Sequence, residues 1–448
     1  MSHPCYPWKG GGSAAIVPSD RSLVVLRKRP AEGGRGNFLV LGARARPSRS
    51  PSPVAPPRSR EDVLASRLVQ CISSGAGSDR DLRLRVTWIH LAVSRLCSSS
   101  ALYEAINLLL GSWTSFNLAP TANPEIDRAA YIKALNTLNA ALSDPVKSYS
   151  VDTLAATALV HRVEFDYDMK ARRANESNHA SGLSALMVKK GPPRADDELD
   201  VRLCFENLHS LLPHILLGNK DNFFSRPEWL RVMRDAAQKN ATVEDPLWIE
   251  YDLSIHMTRW PDLVKDLRAL NDNPNPFQAE NLIIKSKEAA QELCEFDIVR
   301  ITQLQRQGHI WTIIEPGTAS LPTYEFDDCT HCQIFHQHAL VSIAVNRILQ
   351  KALGSIGDED LSVESRIREY SERIWKTLPY VERMSRTVRD NFLAPLVLSL
   401  ESADGGMRRY LAQKIIEISG PRAQFLGDCP EADCLAVGRA LTGRVSPL

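Results

Sequence analysis

The chain has few cysteines for its length, almost no net charge and no long apolar run. Nine cysteines among 448 residues are neither numerous nor evenly spaced, which excludes a disulfide scaffold. A formal net charge of +1 says nothing about partners. A membrane-spanning helix needs roughly 20 consecutive apolar residues. The longest candidate, residues 392–400, is far shorter and is broken by Pro395 and Ser399. Residues 1–31 hold no apolar run of signal-peptide length. Together these absences predict a soluble intracellular protein with reduced thiols and no membrane partner, in which the sequons at Asn175 and Asn240 mean little. No G-x-x-x-x-G-K-[ST] phosphate loop and no G-x-S-x-G nucleophile elbow occurs. Strand signals are scarce as well. The run His309-Ile310-Trp311-Thr312-Ile313-Ile314 is the one β-like segment, and no partner strand is visible for it. No fixed repeat period is seen, which argues against a solenoid.

What is present is helix periodicity. Hydrophobic residues make up 44% of the chain, ample for a sizeable core. Helical spacing recurs over residues 61–71, 84–97, 102–110, 198–218, 229–237, 246–269, 278–307, 332–353, 362–376 and 380–400, with Pro120 and Pro124 in a loop and Pro213 expected to kink or end its helix. The predicted class is all-α: stacked antiparallel helices around one elongated core. Residues 1–60 differ in texture. They hold eleven Lys or Arg against two acidic residues, leaving the remainder with 43 basic and 51 acidic residues. Glycine runs and Ser50-Pro51-Ser52-Pro53 predict a disordered tail, in which Leu23 to Leu26 and Phe38 to Leu41 could pair only as an isolated hairpin. Its basic groups, Arg27-Lys28-Arg29 above all, read either as a nuclear import signal and weak nonspecific nucleic-acid arm or as a solvated tail. The expected organisation is a tail over 1–60, a helical domain over 61–420 and a weakly ordered C-terminal tail over 421–448.

The centre of the pattern is residues 129–191. Ile132, Leu135, Leu138 and Leu142 mark one buried helix face, and Leu154, Ala158, Val160 and Phe165 a second. Ser143-Asp144-Pro145 stops the first helix, and Ser150 or Asp152 caps the next. A third helix opens at Asn178-His179-Ala180-Ser181-Gly182-Leu183. It ends at Lys190-Gly191-Pro192-Pro193, with lysines at the dipole, a glycine stop and two prolines.

Three strings in this region carry a family resemblance: Ala134-Leu135-x-x-Leu138-x-x-Ala141-Leu142, then Asp152-x-Leu154-Ala155-Ala156-x-Ala158-Leu159, then His179-x-x-Gly182-x-x-x-Leu186-x-x-x-Lys190-Gly191. Their order resembles the fungal-specific transcription factor domain, the helical region that follows binuclear zinc-cluster DNA-binding modules. Lysine stands at 190 where the family has arginine, and the tryptophan that often precedes the histidine is missing. Residues 393–418, with Arg408-Arg409-Tyr410-Leu411, resemble the family's closing segment, so the likeness covers about residues 61–420. The resemblance implies a non-enzymatic regulatory domain in the nucleus, with other transcription regulators or a second copy of the chain as partners, and no cofactor. The family's zinc cluster needs six cysteines with pairs two residues apart. Ahead of residue 100 this chain offers Cys5, Cys71 and Cys97, each isolated, so autonomous sequence-specific DNA binding is not expected.

Two constellations invite chemistry. Cys329-Thr330-His331-Cys332 with His336 and His338 could supply zinc ligands, completed by Cys434 or Cys429. Its alternative is a helix start carrying thiols and imidazoles as packing groups, and no metal or catalytic residue is assigned. Asp196-Asp197-Glu198-Leu199-Asp200 matches the D-D-x-x-D motif of all-α isoprenoid synthases, where carboxylates hold magnesium against a diphosphate. That enzyme is the alternative function. Against it, the acids stand just after Pro192-Pro193 at a helix start, where capping explains them, and Asn271-Asp272 runs into prolines where a second metal motif needs helix. His161, His209, His214, His256 and His179 read as structural, and Trp229, Trp248 and Trp260 as core, since basic residues do not interleave them.

Overall fold

In the computed structural model, residues 59–75, 81–118, 126–167, 169–240, 245–314, 322–420 and 429–445 are described. They belong to one compact unit, Pro57–Leu448. Residues 1–58 of the expected tail, with its strands and the Arg27-Lys28-Arg29 cluster, lie outside them, as do Pro120, Pro124 and the side chain of His179; Arg60, expected in the tail, instead opens the first helix.

The fold is all-helical, with a single small hairpin among the described residues. The first half of the unit comprises α1 (Arg60–Gly75), α2 (Ser100–Leu118), α3 (Arg128–Ser143), α4 (Val151–Tyr167), α5 (Met169–Lys190), α6 (Glu198–Gly218) and α7 (Pro227–Lys239). The second comprises α8 (Leu247–Met257), α9 (Trp260–Asp272), α10 (Pro276–Phe296), α11 (Thr302–Arg306), strands β1 (Ile310–Ile313) and β2 (Thr323–Phe326), α12 (Cys329–Ser355), α13 (Leu361–Glu382), α14 (Arg386–Asp390), α15 (Leu393–Ser399), α16 (Gly405–Ser419) and α17 (Pro430–Leu441).

The core has two apolar halves. Leu208, Leu211 and Ile215 of α6 face one, and Leu212 and Leu216 the other. Trp248 and Tyr251 of α8 face the first, Leu253 and Met257 the second. A helix apolar on two sides must be covered on both, so α6 and α8 form the seam. Within the first half, α4 packs between α2, α3 and α5, which explains why Val151, Leu154, Ala155, Ala156, Leu159, Val160 and Val163 are all buried. In the second half α12 is the central helix, contacted by α8, α9, α10, α13 and α15.

Several expectations need correction. The buried face of α3 is Ala134, Leu138 and Ala141; Ile132 is 56% exposed and Leu142 39%. Periodicity marked large residues, whereas α3, packed on α2 and α4, buries two alanines with Leu138. The third helix of the central stretch begins at Met169 rather than near Asn178. Residues 84–97 form 3₁₀ turns, Leu82–Leu84 and Ile89–Arg95, instead of an α-helix. The run 246–269 is two helices, because Pro261 opens a new first turn. Neither Pro213 in α6 nor Pro379 in α13 ends its helix. Asn219, left-handed at φ 48°, ends α6.

The β-like run is not alone. β1 pairs antiparallel with β2, Ile310 opposite Phe326. A two-stranded hairpin is marginal by itself, and this one is anchored by Phe326 against Phe335 and Tyr380 of the flanking helices. Residues 429–445 are also not a loose tail: α17 packs on α15 and α16, and Cys434, Ala440 and Leu441 are buried.

Candidate functional site

The D-D-x-x-D residues form a helix junction. Lys190 ends α5, and Gly191 (φ 86°) with two prolines turns the chain back towards α6. Asp197 is the N-cap of α6, accepting the N–H groups of Leu199 at 3.1 Å and Asp200 at 3.4 Å. It also accepts both oxygens' worth of guanidinium bonds from Arg95 at 2.8 Å, and one from Arg194 at 2.5 Å. Burial pushes the Asp197 pKa up, but these guanidinium bonds outweigh it and hold the carboxyl below its ordinary value. Asp200 is buried against Lys190 Nζ at 2.7 Å. Asp196 is exposed. The space around Asp200, bounded by Met187, Cys204 and Trp229, is too tight for a water molecule. The carboxylates therefore do not converge on a common open point, and their cation partners come from the protein itself.

The Cys/His run is likewise dispersed by α12. Cys332 and His336 lie one turn apart, with Sγ 3.9 Å from Nδ1, and both are buried. Burial pushes the Cys332 thiol well up and the His336 imidazole down to about 3, so neither takes its charged form readily. His338 turns elsewhere, with Nε2 2.9 Å from the Leu293 carbonyl. Cys329 Sγ lies 3.6 Å from Met384 Sδ. Cys434 is buried on α17 and Cys429 is exposed. His331 alone joins a potential ligand group, with His309 and Asp327.

The scattered histidines have partners: His209 Nε2 lies 2.8 Å from Ser254 Oγ, His214 3.3 Å from Ser181 and His256 3.3 Å from Glu292. The His209–Ser254 pair is not a nucleophile at a surface. Ser254 is fully buried and donates to the Glu250 carbonyl at 2.7 Å. Trp229, Trp248 and Trp260 are core residues, as expected.

A cleft that sequence reasoning missed opens on the seam. It has a volume of about 380 Å³ and is lined by Asp81, Arg83, Thr87 and His90 from the 3₁₀ region, Arg202 of α6, Asp245 and Glu250 at α8, and Asp328, Thr330 and Gln333 at the start of α12. Both of its arginines are paired with carboxylates of the protein. Arg83 binds Asp81 at 2.6 Å, and Arg202 binds Glu198 at 2.8 Å with its guanidinium 5.4 Å from the Trp248 ring centre. Its inner wall is a polar network. The N–H of Thr87 donates to Glu206 at 2.8 Å, its hydroxyl lies 3.1 Å from Tyr251 Oη, and Tyr251 stacks on Phe205 at 4.2 Å. Glu250 is buried and accepts from Gln333 Nε2 at 2.8 Å. Burial pushes its pKa up to about 7, so near neutrality it can donate a proton as well as accept a hydrogen bond. Such a cavity can hold a small polar molecule by hydrogen bonding, with limited field from unpaired charge.

Family models, curated proteins and solved structures give no match to this chain. The cleft was not legible because its residues come from four segments between positions 81 and 333, each of which reads separately as a cap or a helix-surface charge. No helix among the described residues is long and apolar enough to cross a membrane.

Proposed function

We propose that the chain is the helical regulatory and interaction unit of a transcription-regulator-like protein, of the kind the fungal-specific domain represents, and that the seam cleft receives its small polar effector. In this reading it is non-catalytic, acts in the nucleus with other regulators or a second copy of itself, and touches nucleic acid only weakly through residues 1–60. One observation supports it most: the cleft is walled by Arg202 and Glu250, which belong to the two helices shared by both halves of the core. A ligand bound there contacts both halves, and differential contact is what shifts a conformational equilibrium.

The test fuses the full chain to an unrelated DNA-binding module upstream of a reporter. The fusion should change reporter output, and the conservative variants Arg202→Gln or Glu250→Gln should alter that change while the protein remains folded and equally abundant. Output indistinguishable from the DNA-binding module alone would overturn the proposal. The isoprenoid-synthase alternative has less support, because Asp197 and Asp200 already hold Arg95, Arg194 and Lys190. Magnesium-dependent release of diphosphate from a prenyl diphosphate would reinstate it.

A further inference from the structure

We infer that His309, Asp327 and His331 form a binding site for a divalent metal ion of the zinc class, fastening the β-hairpin to the start of α12. This goes beyond the regulatory reading and does not depend on it.

The three residues come from separate places. His309 immediately precedes β1, Asp327 immediately follows β2, and His331 lies in the first turn of α12. Backbone bonds set the first two: His309 N–H donates to the Leu304 carbonyl at 3.0 Å, and Asp327 N–H to the His309 carbonyl at 3.3 Å. Asp328 caps α12 through the Thr330 N–H at 2.6 Å, which sets the first turn that carries His331. The side chains then converge. His309 Nδ1 lies 2.6 Å from one Asp327 oxygen and His331 Nδ1 2.8 Å from the other. The two rings stack at 4.5 Å, and the three ligand atoms lie within 4.8 Å of one another.

The donor chemistry selects the ion. Two imidazole nitrogens and one carboxylate suit zinc and its first-row neighbours, whereas calcium and magnesium prefer an all-oxygen set. His309 is half-buried and Asp327 42% exposed on its side chain, so solvent can reach the site and water can complete the coordination. The contrast with Asp197 and Asp200 is informative. Those carboxylates are matched by arginine and lysine, while the ion pairs of Asp327 run to two imidazoles, which bind metals when neutral. Coordination through Nδ1 requires the Nε2–H tautomer of each ring; any Nδ1 proton moves to Nε2 or to solvent.

The experiment uses the full-length chain, stripped with a chelator and titrated with Zn²⁺ by calorimetry, then with Co²⁺ as a spectroscopic substitute. One equivalent should bind saturably. The Co²⁺ form should show visible d–d bands without a thiolate charge-transfer band. His309→Ala, at a solvent-reachable position, should weaken binding by more than the ~10–100-fold cost of losing a group behind a ligand. Asp327→Asn should do likewise, while Cys329→Ala should bind as the parent does. Zn²⁺ should raise the melting temperature of the parent and not of His309→Ala. Absence of saturable uptake, unchanged affinity in His309→Ala, or a thiolate charge-transfer band would each overturn the inference.

Discussion

Arg268 ties the ends of two helices together. Its NH1 donates to the Leu216 carbonyl at 2.7 Å and its NH2 to the Ala440 carbonyl at 2.8 Å, in the last turns of α6 and α17. The carbonyls of a last turn lack helical partners, and a buried cation is well placed at that negative end. Arg268→Met should therefore destabilise the unit by about 1.5–3 kcal/mol for each bond lost, read as a lower urea midpoint with unchanged slope; an unchanged midpoint would show that water replaces the guanidinium. On α3, Leu138 is 6% exposed and Ile132 56%. Leu138→Asp should lower stability by several kcal/mol, on the scale of the ~5–15 kcal/mol a whole domain has. Ile132→Asp should leave the melting temperature nearly unchanged. Equal melting temperatures for the two variants would show that the buried face is misassigned.

Glu250 gives the cleft a pH signature. Burial raises its pKa to about 7 from an ordinary 4.5, so between those values the folded chain holds a proton that the unfolded chain releases. Its contribution to stability is full below about pH 4.5 and is lost as pH rises through 7. His209 and His336, pushed down to about 4 and about 3 by burial, act in the opposite sense: the unfolded chain takes up their protons below its ordinary value near 6.5, and stability falls with pH there. A difference measurement cancels them. The melting temperature of Glu250→Gln minus that of the parent should rise from pH 5 to pH 8. A flat difference would mean that Glu250 is already ionised in the fold.

At the scale of elements, α17 shows how a pattern-poor segment becomes structural. Trp260 Nε1 donates to the Leu441 carbonyl at 3.1 Å and Asn271 Nδ2 to the Gly443 carbonyl at 3.0 Å. Gly443 has φ 71°, and a Cβ there would lie 2.9 Å from the Val264 carbonyl oxygen, so only glycine fits that approach. Removing residues 429–448 uncovers α9 and leaves Arg268 and Trp260 without these acceptors. Such a chain should lose soluble yield or melt well below the parent; an identical melting temperature would show that α17 is dispensable. The hairpin follows the same logic. Its β2 strand spans only Thr323–Phe326, too short to announce itself, and it persists through packing on α12 and α13.

For the molecule as a whole, the described unit makes its own core, so a chain beginning at Pro57 should keep the helical circular-dichroism signal of the full chain. Loss of that signal would show that residues 1–56 complete the core. If Arg27-Lys28-Arg29 carries the nuclear address, a fluorescent fusion of the shortened chain should also lose nuclear enrichment, and retained enrichment would place the address elsewhere. Duplex-DNA binding by the full chain should be sequence-independent and fall steeply with salt, because displaced counterions drive it. A footprint on a defined site that survives physiological salt would contradict this.

The helix content and many of the ends were legible in the chain itself. Asp144 ends α3, Ser150 Oγ accepts from Thr153 N–H at 3.2 Å in the first turn of α4, and Lys190-Gly191 closes α5. These follow from local rules, since proline, glycine and capping side chains act within one turn. The capping role of the acids at 197–200 was legible for the same reason. Only the tertiary structure decided which face of α3 is buried, that β1 has a partner, that 429–445 packs, and that residues from 81, 202, 250 and 333 wall one cleft. It alone brought His309 to Asp327 and His331. Those outcomes depend on contacts between residues far apart in the chain, and a local pattern carries no information about which distant surface will cover it.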